Sequence, residues 1–218
     1  KVPSGEITNF PYLREIAHSQ KPIIMSTGMA TIKEIENAIK VLQRFGALKE
    51  NLSILHCTSD YPADFGDLNL KAIQTLKSKF SLEVGYSDHS LGIEVPIAAI
   101  SLGARIIEKH LTLNQKMIGP DHLASIEPQN FKEMVKNIRN IEIALGNENK
   151  IPTKNELKNK KLVRKSIVAS VNIRKGDVFN EKNITSKRPG IGICPMQWET
   201  VLGKVAKKSF YKDQIIEL

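Results

Sequence analysis

The first two thirds of the chain alternate short apolar runs with longer segments in which apolar residues recur at helical spacing. The apolar runs cover residues 22–25, 52–55, 82–86 and 104–107. The helical spacing is clearest in Ile32, Ile35, Ile39 and Leu42, which lie on one face of a helix. Strand and helix alternate about every 20 to 30 residues, which predicts parallel βαβ units with right-handed crossovers.

Polar and glycine residues mark where the predicted helices begin and end. Thr31 and Glu34 are spaced as a capping box, and Gly46 follows the last apolar position of the same helix. Asn69 is a candidate cap for the next helix, and Gly146 ends the final one. These signals predict well-defined helices between the strands.

Four or five βα units make half of an eight-stranded barrel, which takes about 250 residues. An open sheet is the alternative. We favour the second half of a TIM (β/α)8 barrel in residues 1–146, because the chain begins in what reads as the end of a strand, and we expect the first half upstream of Lys1. The polar segment 147–161 reads as a linker, and short β-runs with turns in residues 162–218 predict a small, mostly β domain.

The net charge of +9 lies entirely in the last part of the chain. Residues 151–218 hold 15 Lys and Arg against 6 Asp and Glu, whereas residues 1–150 hold 17 of each kind. A basic domain could meet nucleic acid, an acidic surface or an anionic substrate, or could be a solvated lysine-rich surface. It lacks the interleaved aromatic residues of a base-stacking platform, so we expect no nucleic-acid partner.

Other compositional features point to a cytoplasmic protein. No apolar stretch approaches the length of about 20 residues needed to cross a membrane, and the first residues carry no apolar signal-peptide core. Cys57 and Cys194 are far apart and match no zinc or redox spacing. We therefore expect a reducing, cytoplasmic setting and no membrane partner.

His89 and His110 carry the most specific chemical signal, because each closes a run that reads as a buried strand. The carboxyl ends of successive parallel strands are where α/β barrels assemble their chemistry. Two imidazoles at that edge suit a divalent metal with open positions for substrate oxygen. The alternative is that each histidine is a hydrogen-bonded residue at a strand end.

Further polar groups fall at or near the same strand ends. Hydroxyls with one lysine suit a phosphate or carboxylate, which needs several donors and a compensating charge; these residues are Lys1, Ser4, Ser26, Ser59 and Ser87. Glu6 and Glu108 are the carboxylates able to move protons. Their convergence favours an active site over isolated loop hydroxyls.

Several short motifs resemble, in order along nearly the whole chain, those of the bacterial sialic acid synthases. They include residues 1–6, 26–29, 56–58, 61–62, 87–89, 108–110, 119–121 and 187–190. The resemblance implies the second half of a TIM barrel joined to an antifreeze-like SAF domain with a β-clip fold. It also implies a C–C bond-forming transferase that condenses phosphoenolpyruvate with an N-acetylated mannose-type sugar to a nine-carbon 2-keto acid and phosphate.

The resemblance assigns roles position by position. It implies that Lys1, Ser4, Ser26 and Ser87 hold phosphoenolpyruvate, and that His89 and His110 bind the metal, with Mn²⁺ expected and Mg²⁺ or Co²⁺ as alternatives. It further implies sugar contacts by Glu6, Tyr61, Asp121 and Arg188, the last donated by the SAF domain of the other subunit in a swapped homodimer. Whether Glu6 or Glu108 activates water stays open.

Ser59 departs from the family pattern, since many members have Asn at that position, which puts its part in phosphoenolpyruvate binding in question. Residues 1–218 lack the first barrel half, so we expect these residues alone to be inactive. N-acetylneuraminate synthase is the favoured activity, and a synthase for legionaminic acid or another diacetamido nonulosonate is the alternative. A non-catalytic carbohydrate- or nucleic-acid-binding module is the remote alternative, and the retained histidines argue against it.

Overall fold

A computed structural model describes residues 1–218, which divide into two compact units, Lys1–Asn147 and Glu148–Leu218. The first unit contains a four-stranded parallel sheet in the order β1-β2-β3-β4. Its strands are β1 (Ile23–Ser26), β2 (Leu52–Cys57), β3 (Glu83–Asp88) and β4 (Ile107–Lys109). Consecutive parallel strands in sequential order are the arrangement of a barrel segment, so the sheet agrees with the predicted half-barrel.

Single backbone bridges extend both edges of this sheet. Val2 forms a single parallel bridge with Met25 of β1. At the other edge Leu111, which follows β4, pairs in parallel with Ile126. The backbone at Val2 and at Ile126 is thereby attached to the two edges of the sheet.

Five helices accompany these strands, and the predicted boundaries are mostly confirmed. They are α1 (Phe10–His18), α2 (Ile32–Arg44), α3 (Ala72–Phe80), α4 (Glu94–Ser101) and α5 (Pro128–Leu145). The Thr31–Glu34 capping box is present at the start of α2. Asn69 does not cap α3 with its side chain; it adopts a positive φ of 44°, and its carbonyl accepts from the backbone N–H of Ala72. Short 3-10 turns occupy Ser4–Glu6, Lys49–Asn51 and Phe65–Asp67.

The core of the first unit lies between the sheet and the helices. The side of α2 that carries Ile35, Ile39 and Leu42 is buried, as the helical spacing predicts. Met25 and Ile54, from β1 and β2, have no exposed surface and belong to the same apolar cluster. Burial of apolar surface contributes roughly 25 cal/mol for each Å². This core therefore stabilises the strands whose ends carry the predicted site residues.

The second unit is small and mostly irregular. It contains α6 (Lys154–Val163), the antiparallel pair β5 (Ser166–Ala169) and β6 (Ile184–Lys187), a 3-10 turn at Pro195–Gln197 and the one-turn α7 (Trp198–Val201). Its own core includes the ring pair Phe179 and Phe210. The segment 147–161, which reads as a linker in the sequence, contains most of α6, and a capping box between Thr153 and Glu156 begins that helix.

No helix in the protein combines the length and the apolar character that crossing a membrane requires.

Candidate active site

The register between β3 and β4 brings the predicted site residues together. Ser87 on β3 lies opposite Glu108 on β4, and His89 and His110 follow the two strands at the same edge. Because side chains alternate between the two faces of a strand, Ser87 and His89 share one face, and Glu108 and His110 share the matching one. The sheet therefore places all four side chains close together at the carboxyl ends of β3 and β4.

Glu108 lies between two donors. Its Oε1 atom accepts a hydrogen bond from Ser87 Oγ at 2.7 Å and is 3.1 Å from Lys1 Nζ. About a third of the Lys1 side chain and two fifths of the Glu108 side chain are exposed, so the ion pair is open to solvent. The contact nonetheless places a lysine ammonium, a hydroxyl and a carboxylate within reach of one small anionic ligand.

His89 is held in one orientation by the backbone. Its Nδ1 lies 2.6 Å from the carbonyl oxygen of Thr58, which can only accept, so Nδ1 carries the proton. Burial lowers the pKa of His89, and the hydrogen bond to Thr58 opposes this shift. Because Nδ1 carries the proton of the neutral ring, Nε2 is unprotonated. Ser87 Oγ is 3.4 Å from that Nε2 but gives its own proton to Glu108. His89 therefore presents a free lone pair to the site.

Three rings form a compact group around this lone pair. The Tyr61 ring is tilted by 32° against that of His89 with 4.1 Å between centroids, and it meets the His110 ring edge to face with 5.4 Å between centroids. The His89 and His110 ring centroids are 5.5 Å apart. Asp121 extends the group, with an Oδ2 atom 3.9 Å from His110 Nδ1. The four residues are thus contiguous, as the sequence predicts.

The donor set fits a metal that takes two imidazoles from the protein. The lone pair of His89 is free and the His110 ring is its neighbour, as a shared ion would need. No group of three or more His, Cys, Asp and Glu side chains is arranged to hold an ion. Any metal here would keep several positions for oxygen from substrate or water, which suits a borderline divalent ion.

A second group of small side chains surrounds Gly28. Ser4 Oγ is 3.2 Å from the thiol of Cys57 and accepts a hydrogen bond from the backbone N–H of Gly28 at 3.0 Å. A Cβ atom at Gly28 would lie 2.3 Å from Ser59 Oγ and 2.8 Å from Ser4 Oγ. The glycine therefore lets the two hydroxyls approach the backbone closely.

A cavity of about 720 Å³ adjoins this second group. It lies near the first turns of α2 and α3, and its lining includes Cys57 and Ser59 but neither His89 nor His110. Ser59 is thus shared between the Gly28 group and this open space.

Ser26 and Glu6 complete the first-unit residues that the sequence predicts. Ser26 is buried at the end of β1, and its hydroxyl has no hydrogen-bond partner in the protein, so a bound ligand could satisfy it. Glu6 accepts a hydrogen bond from the Asn9 side chain at 2.6 Å and makes no bond to the Glu108 network. Between the two carboxylates, Glu108 is the one joined to other predicted residues.

Arg188 belongs to the second unit. It is exposed, and its Nε atom donates to the carbonyl oxygen of Val163 at 3.0 Å. This bond to Val163 uses only Nε, so the terminal guanidinium nitrogens remain as donors for a ligand.

Some residues act in the site through the backbone or through close packing, and the sequence carries little signal for them. Nothing in the sequence signals that the carbonyl of Thr58 fixes the His89 ring, because that contact spans two strands. Cys57, which matches no zinc or redox spacing, packs against Ser4. Gly28 stands in a Ser-Thr-Gly motif, where a small residue after a strand could have suggested a close approach.

Family profiles match both units of the chain. The NeuB family profile matches residues 1–150, and the SAF domain profile matches residues 164–217. The parallel sheet, the paired histidines and the lysine-linked carboxylate lie within the first match. This chain belongs to the NeuB family, with a SAF domain following the family segment.

Two named relatives are N,N'-diacetyllegionaminic acid synthases. N,N'-diacetyllegionaminic acid synthase of Campylobacter jejuni is 53% identical over 216 residues, which are 99% of this chain and 65% of the relative. The enzyme of the same name from Legionella pneumophila is 46% identical over 205 residues, which are 93% of this chain and 58% of the relative. The chain therefore spans less than two thirds of the length of these relatives.

A solved structure shares this arrangement. The N-acetylneuraminic acid synthetase of Leptospira borgpetersenii, crystallised with citrate, is similar at a TM-score of 0.66 and 39% sequence identity. The match covers 72% of this chain and 54% of that chain. The likeness supports the family assignment.

Proposed function

We propose that the protein is a nonulosonate synthase that joins phosphoenolpyruvate to an acylated mannose-type aldose and releases phosphate. The observation that carries the proposal is the continuous contact path from Lys1 through Glu108 and Ser87 to His89 and His110. This path combines an anion-binding cation, a carboxylate and a metal-competent imidazole pair at one sheet edge. Such a combination suits a reaction between a phosphorylated enol and an aldehyde.

Phosphoenolpyruvate would bind to the lysine and hydroxyl groups. Its phosphate and carboxylate need several donors and a compensating charge, which Lys1 and the serine hydroxyls supply. The buried and unpartnered hydroxyl of Ser26 supports this role, since a polar atom left without a partner in the protein is satisfied when a ligand bonds to it. Ser4 and Ser59 would add further hydroxyls around the same ligand. Ser87, whose single hydroxyl proton goes to Glu108, would act on this ligand through that carboxylate.

His89 and His110 would hold a divalent metal, with Mn²⁺ as the ion we propose. When bound, such an ion acts as a Lewis acid that polarises a carbonyl. The two rings supply ligand nitrogens, and the carbonyl of Thr58 keeps the His89 Nε2 atom aimed into the site. Tyr61, stacked on His89, would cover one side of the sugar.

The reaction forms one C–C bond and breaks one C–O bond. C3 of phosphoenolpyruvate adds to the aldehyde carbon of the sugar, whose oxygen takes up a proton. A water molecule adds at C2 and gives up one proton. The resulting C2 hydroxyl then loses its proton to the departing phosphate as the bond between C2 and the phosphate oxygen breaks, which leaves the keto group. Glu108, held between Lys1 and Ser87, is the carboxylate that we propose to take the proton from water.

The relatives favour a diacetamido sugar over N-acetylmannosamine. The two legionaminic acid synthases are 53% and 46% identical to the chain, whereas the sialic acid synthetase of known structure is 39% identical. This order reverses the preference given by the sequence motifs, which put N-acetylneuraminate first. We therefore propose a 2,4-diacetamido-6-deoxy sugar of the mannose type as the acceptor.

The SAF unit would complete the site from a second copy. In this proposal Arg188 contacts an acylamino group of the sugar in a swapped homodimer. Its free guanidinium nitrogens and the positive charge of residues 151–218 support a role near an anionic reaction centre. No nucleic acid is required to account for that charge.

The test uses the full-length protein with Mn²⁺ and phosphoenolpyruvate. Phosphate release is measured with the diacetamido sugar and with N-acetylmannosamine, and mass spectrometry identifies the nine-carbon product. We expect metal-dependent release with a kcat/KM at least tenfold higher for the diacetamido sugar. A preference for N-acetylmannosamine would make the protein a sialic acid synthase. Failure of both sugars, with binding of a polysaccharide instead, would favour a non-catalytic module.

A further inference from the structure

Asp88 and Lys109 form a buried ion pair directly behind the two histidines. Lys109 Nζ is 2.5 Å from Asp88 Oδ2, and the Lys109 and Asp88 side chains are 1% and 0% exposed. Lys109 also donates to the carbonyl oxygen of Ser90 at 2.6 Å. Ser90 in turn donates to Asp88 Oδ1 from its backbone N–H at 3.0 Å and from its hydroxyl at 2.7 Å. The three residues make a closed set of bonds.

This set brackets both histidines along the chain. Asp88 and Ser90 flank His89, and Lys109 immediately precedes His110. Asp88 and Lys109 are also direct partners in the register of β3 and β4. Because side chains alternate along a strand, the pair lies on the face opposite Ser87 and Glu108. It therefore touches neither the proposed substrate nor the metal ligands themselves.

Stability is a weak explanation for such a pair. Removing two charges from water has a cost that their mutual attraction often only balances, and apolar side chains of similar volume usually serve as well or better. Helix α4 and the sheet could pack over an apolar pair at this position. The ion pair does provide directional bonds, which apolar packing does not.

We propose that Asp88 and Lys109 are positioning residues that set the spacing of His89 and His110. This proposal rests on the metal role proposed above for the two histidines. The bonds from Lys109 to Asp88 and Ser90 fix the backbone on both sides of His89 relative to β4. The 5.5 Å separation of the imidazole centroids follows from that fixed relation, so the pair tunes how well one ion can bind both rings.

The experiment replaces the pair by apolar residues in the full-length protein, with Asp88→Leu and Lys109→Met combined. Mn²⁺ affinity is measured by electron paramagnetic resonance, from the loss of the six-line signal of the free ion, and thermal unfolding is followed in parallel. Val84→Ala is the matched control, because Val84 is a buried residue of the same strand that belongs to the apolar core instead. His89→Ala provides the reference for a lost ligand.

We expect the double variant to unfold at a temperature close to wild type or above it, and to bind Mn²⁺ about tenfold more weakly or worse. Val84→Ala should lower the unfolding temperature and keep the Mn²⁺ affinity. If that double variant does not fold, Asp88→Asn combined with Lys109→Met replaces it, because the Asn side chain still accepts from Ser90. The same loss of Mn²⁺ affinity is expected.

Two results would overturn the proposal, and they are distinguishable. Unchanged Mn²⁺ affinity in the paired variants, with loss in His89→Ala, would remove the positioning role and leave the metal site intact. Absence of Mn²⁺ binding by the wild-type protein would remove the metal role proposed for the histidines and the positioning role with it. Equal weakening in Val84→Ala would mean that affinity follows general stability, which also contradicts the proposal.

Discussion

Ser87 donates its hydroxyl proton to Glu108 across the β3–β4 pair, at 2.7 Å between Oγ and Oε1. The same Oε1 atom faces Lys1 Nζ at 3.1 Å. Ser87 and Lys1 thus hold between them the carboxylate that we assign to water activation.

Removing that hydroxyl tests the assignment. We expect Ser87→Ala to lower kcat/KM for phosphoenolpyruvate by about ten- to a hundredfold, because a group placed for proton transfer contributes on the order of 10² or more when oriented. The free energy of unfolding should fall by only about 1 kcal/mol, the usual worth of one hydrogen bond. Ser78→Ala, on the exposed side of α3 with a similar single bond, is the control. Normal turnover in Ser87→Ala would contradict the role of Glu108.

The close approach at Gly28 gives a second prediction. Gly28→Ala would place Cβ 2.3 Å from Ser59 Oγ, so the serine side chains must move. We expect the KM for phosphoenolpyruvate to rise several-fold while the KM for the sugar changes little. Gly5→Ala is the matched control, because nothing lies within 4 Å of its Cβ. Equal changes in both KM values would mean that Ser4 and Ser59 do not contact phosphoenolpyruvate.

The histidine pair predicts a metal requirement. His89→Ala or His110→Ala should abolish Mn²⁺-dependent turnover while the fold persists, because losing one of two protein ligands leaves an ion weakly held. Direct Mn²⁺ titration by calorimetry measures the loss, and His18→Ala, an exposed histidine on α1, should behave as wild type. Activity that survives saturating EDTA would rule out the proposed metal.

Burial of histidines makes the stability of the first unit depend on pH. Burial lowers the pKa of His56, whose Nε2 donates to the carbonyl of Leu68, from its usual 6.5. As the pH falls below about 6.5, His56 takes up a proton in the unfolded chain before it does so in the folded protein. The free energy of unfolding therefore decreases until the pH has passed the lowered pKa of the folded protein. His56→Gln can still donate to Leu68 but does not titrate, so its urea midpoint should fall less between pH 7.5 and 5. Identical pH slopes would refute this contribution.

Arg188 predicts a contribution to sugar binding from the second unit. Arg188→Ala should weaken the acylated sugar with little effect on phosphoenolpyruvate, and Arg174→Ala, exposed in the same unit, should have no effect. In a swapped dimer, mixing Arg188→Ala with His89→Ala protomers should restore part of the activity, because one of the two sites is then intact. No recovery in dimers that have verifiably exchanged would mean that the arginine does not act across subunits.

Several features were predictable because they depend on neighbours along the chain. The capping box at Thr31 and Glu34 is a local pattern, and the strand-closing histidines follow from apolar runs that end in polar residues. Asn69 failed as a cap because its backbone took a left-handed conformation and α3 began later, at Ala72. The polar residues of α6 read as a linker in the sequence. Thr153 and Glu156 nevertheless carry the capping-box pattern that Thr31 and Glu34 show at the start of α2.

Contacts between distant segments could not be predicted in this way. The bond from His89 to the Thr58 carbonyl joins residues 31 positions apart, and the contact of Ser4 with Cys57 joins residues 53 positions apart. Both depend on how β2 lies beside its neighbours, which hydrophobic spacing does not specify. The motif resemblance placed Ser4 in the site without giving the packing around it.

The alternation of side chains in β3 and β4 has a consequence for how this region can evolve. Ser87 and Glu108 face the site while Asp88 and Lys109 face away from it. Sliding both strands by one residue would exchange the two pairs, sending the buried charges into the pocket and the carboxylate into the helix layer. An insertion or deletion in β3 or β4 therefore alters chemistry and packing at once.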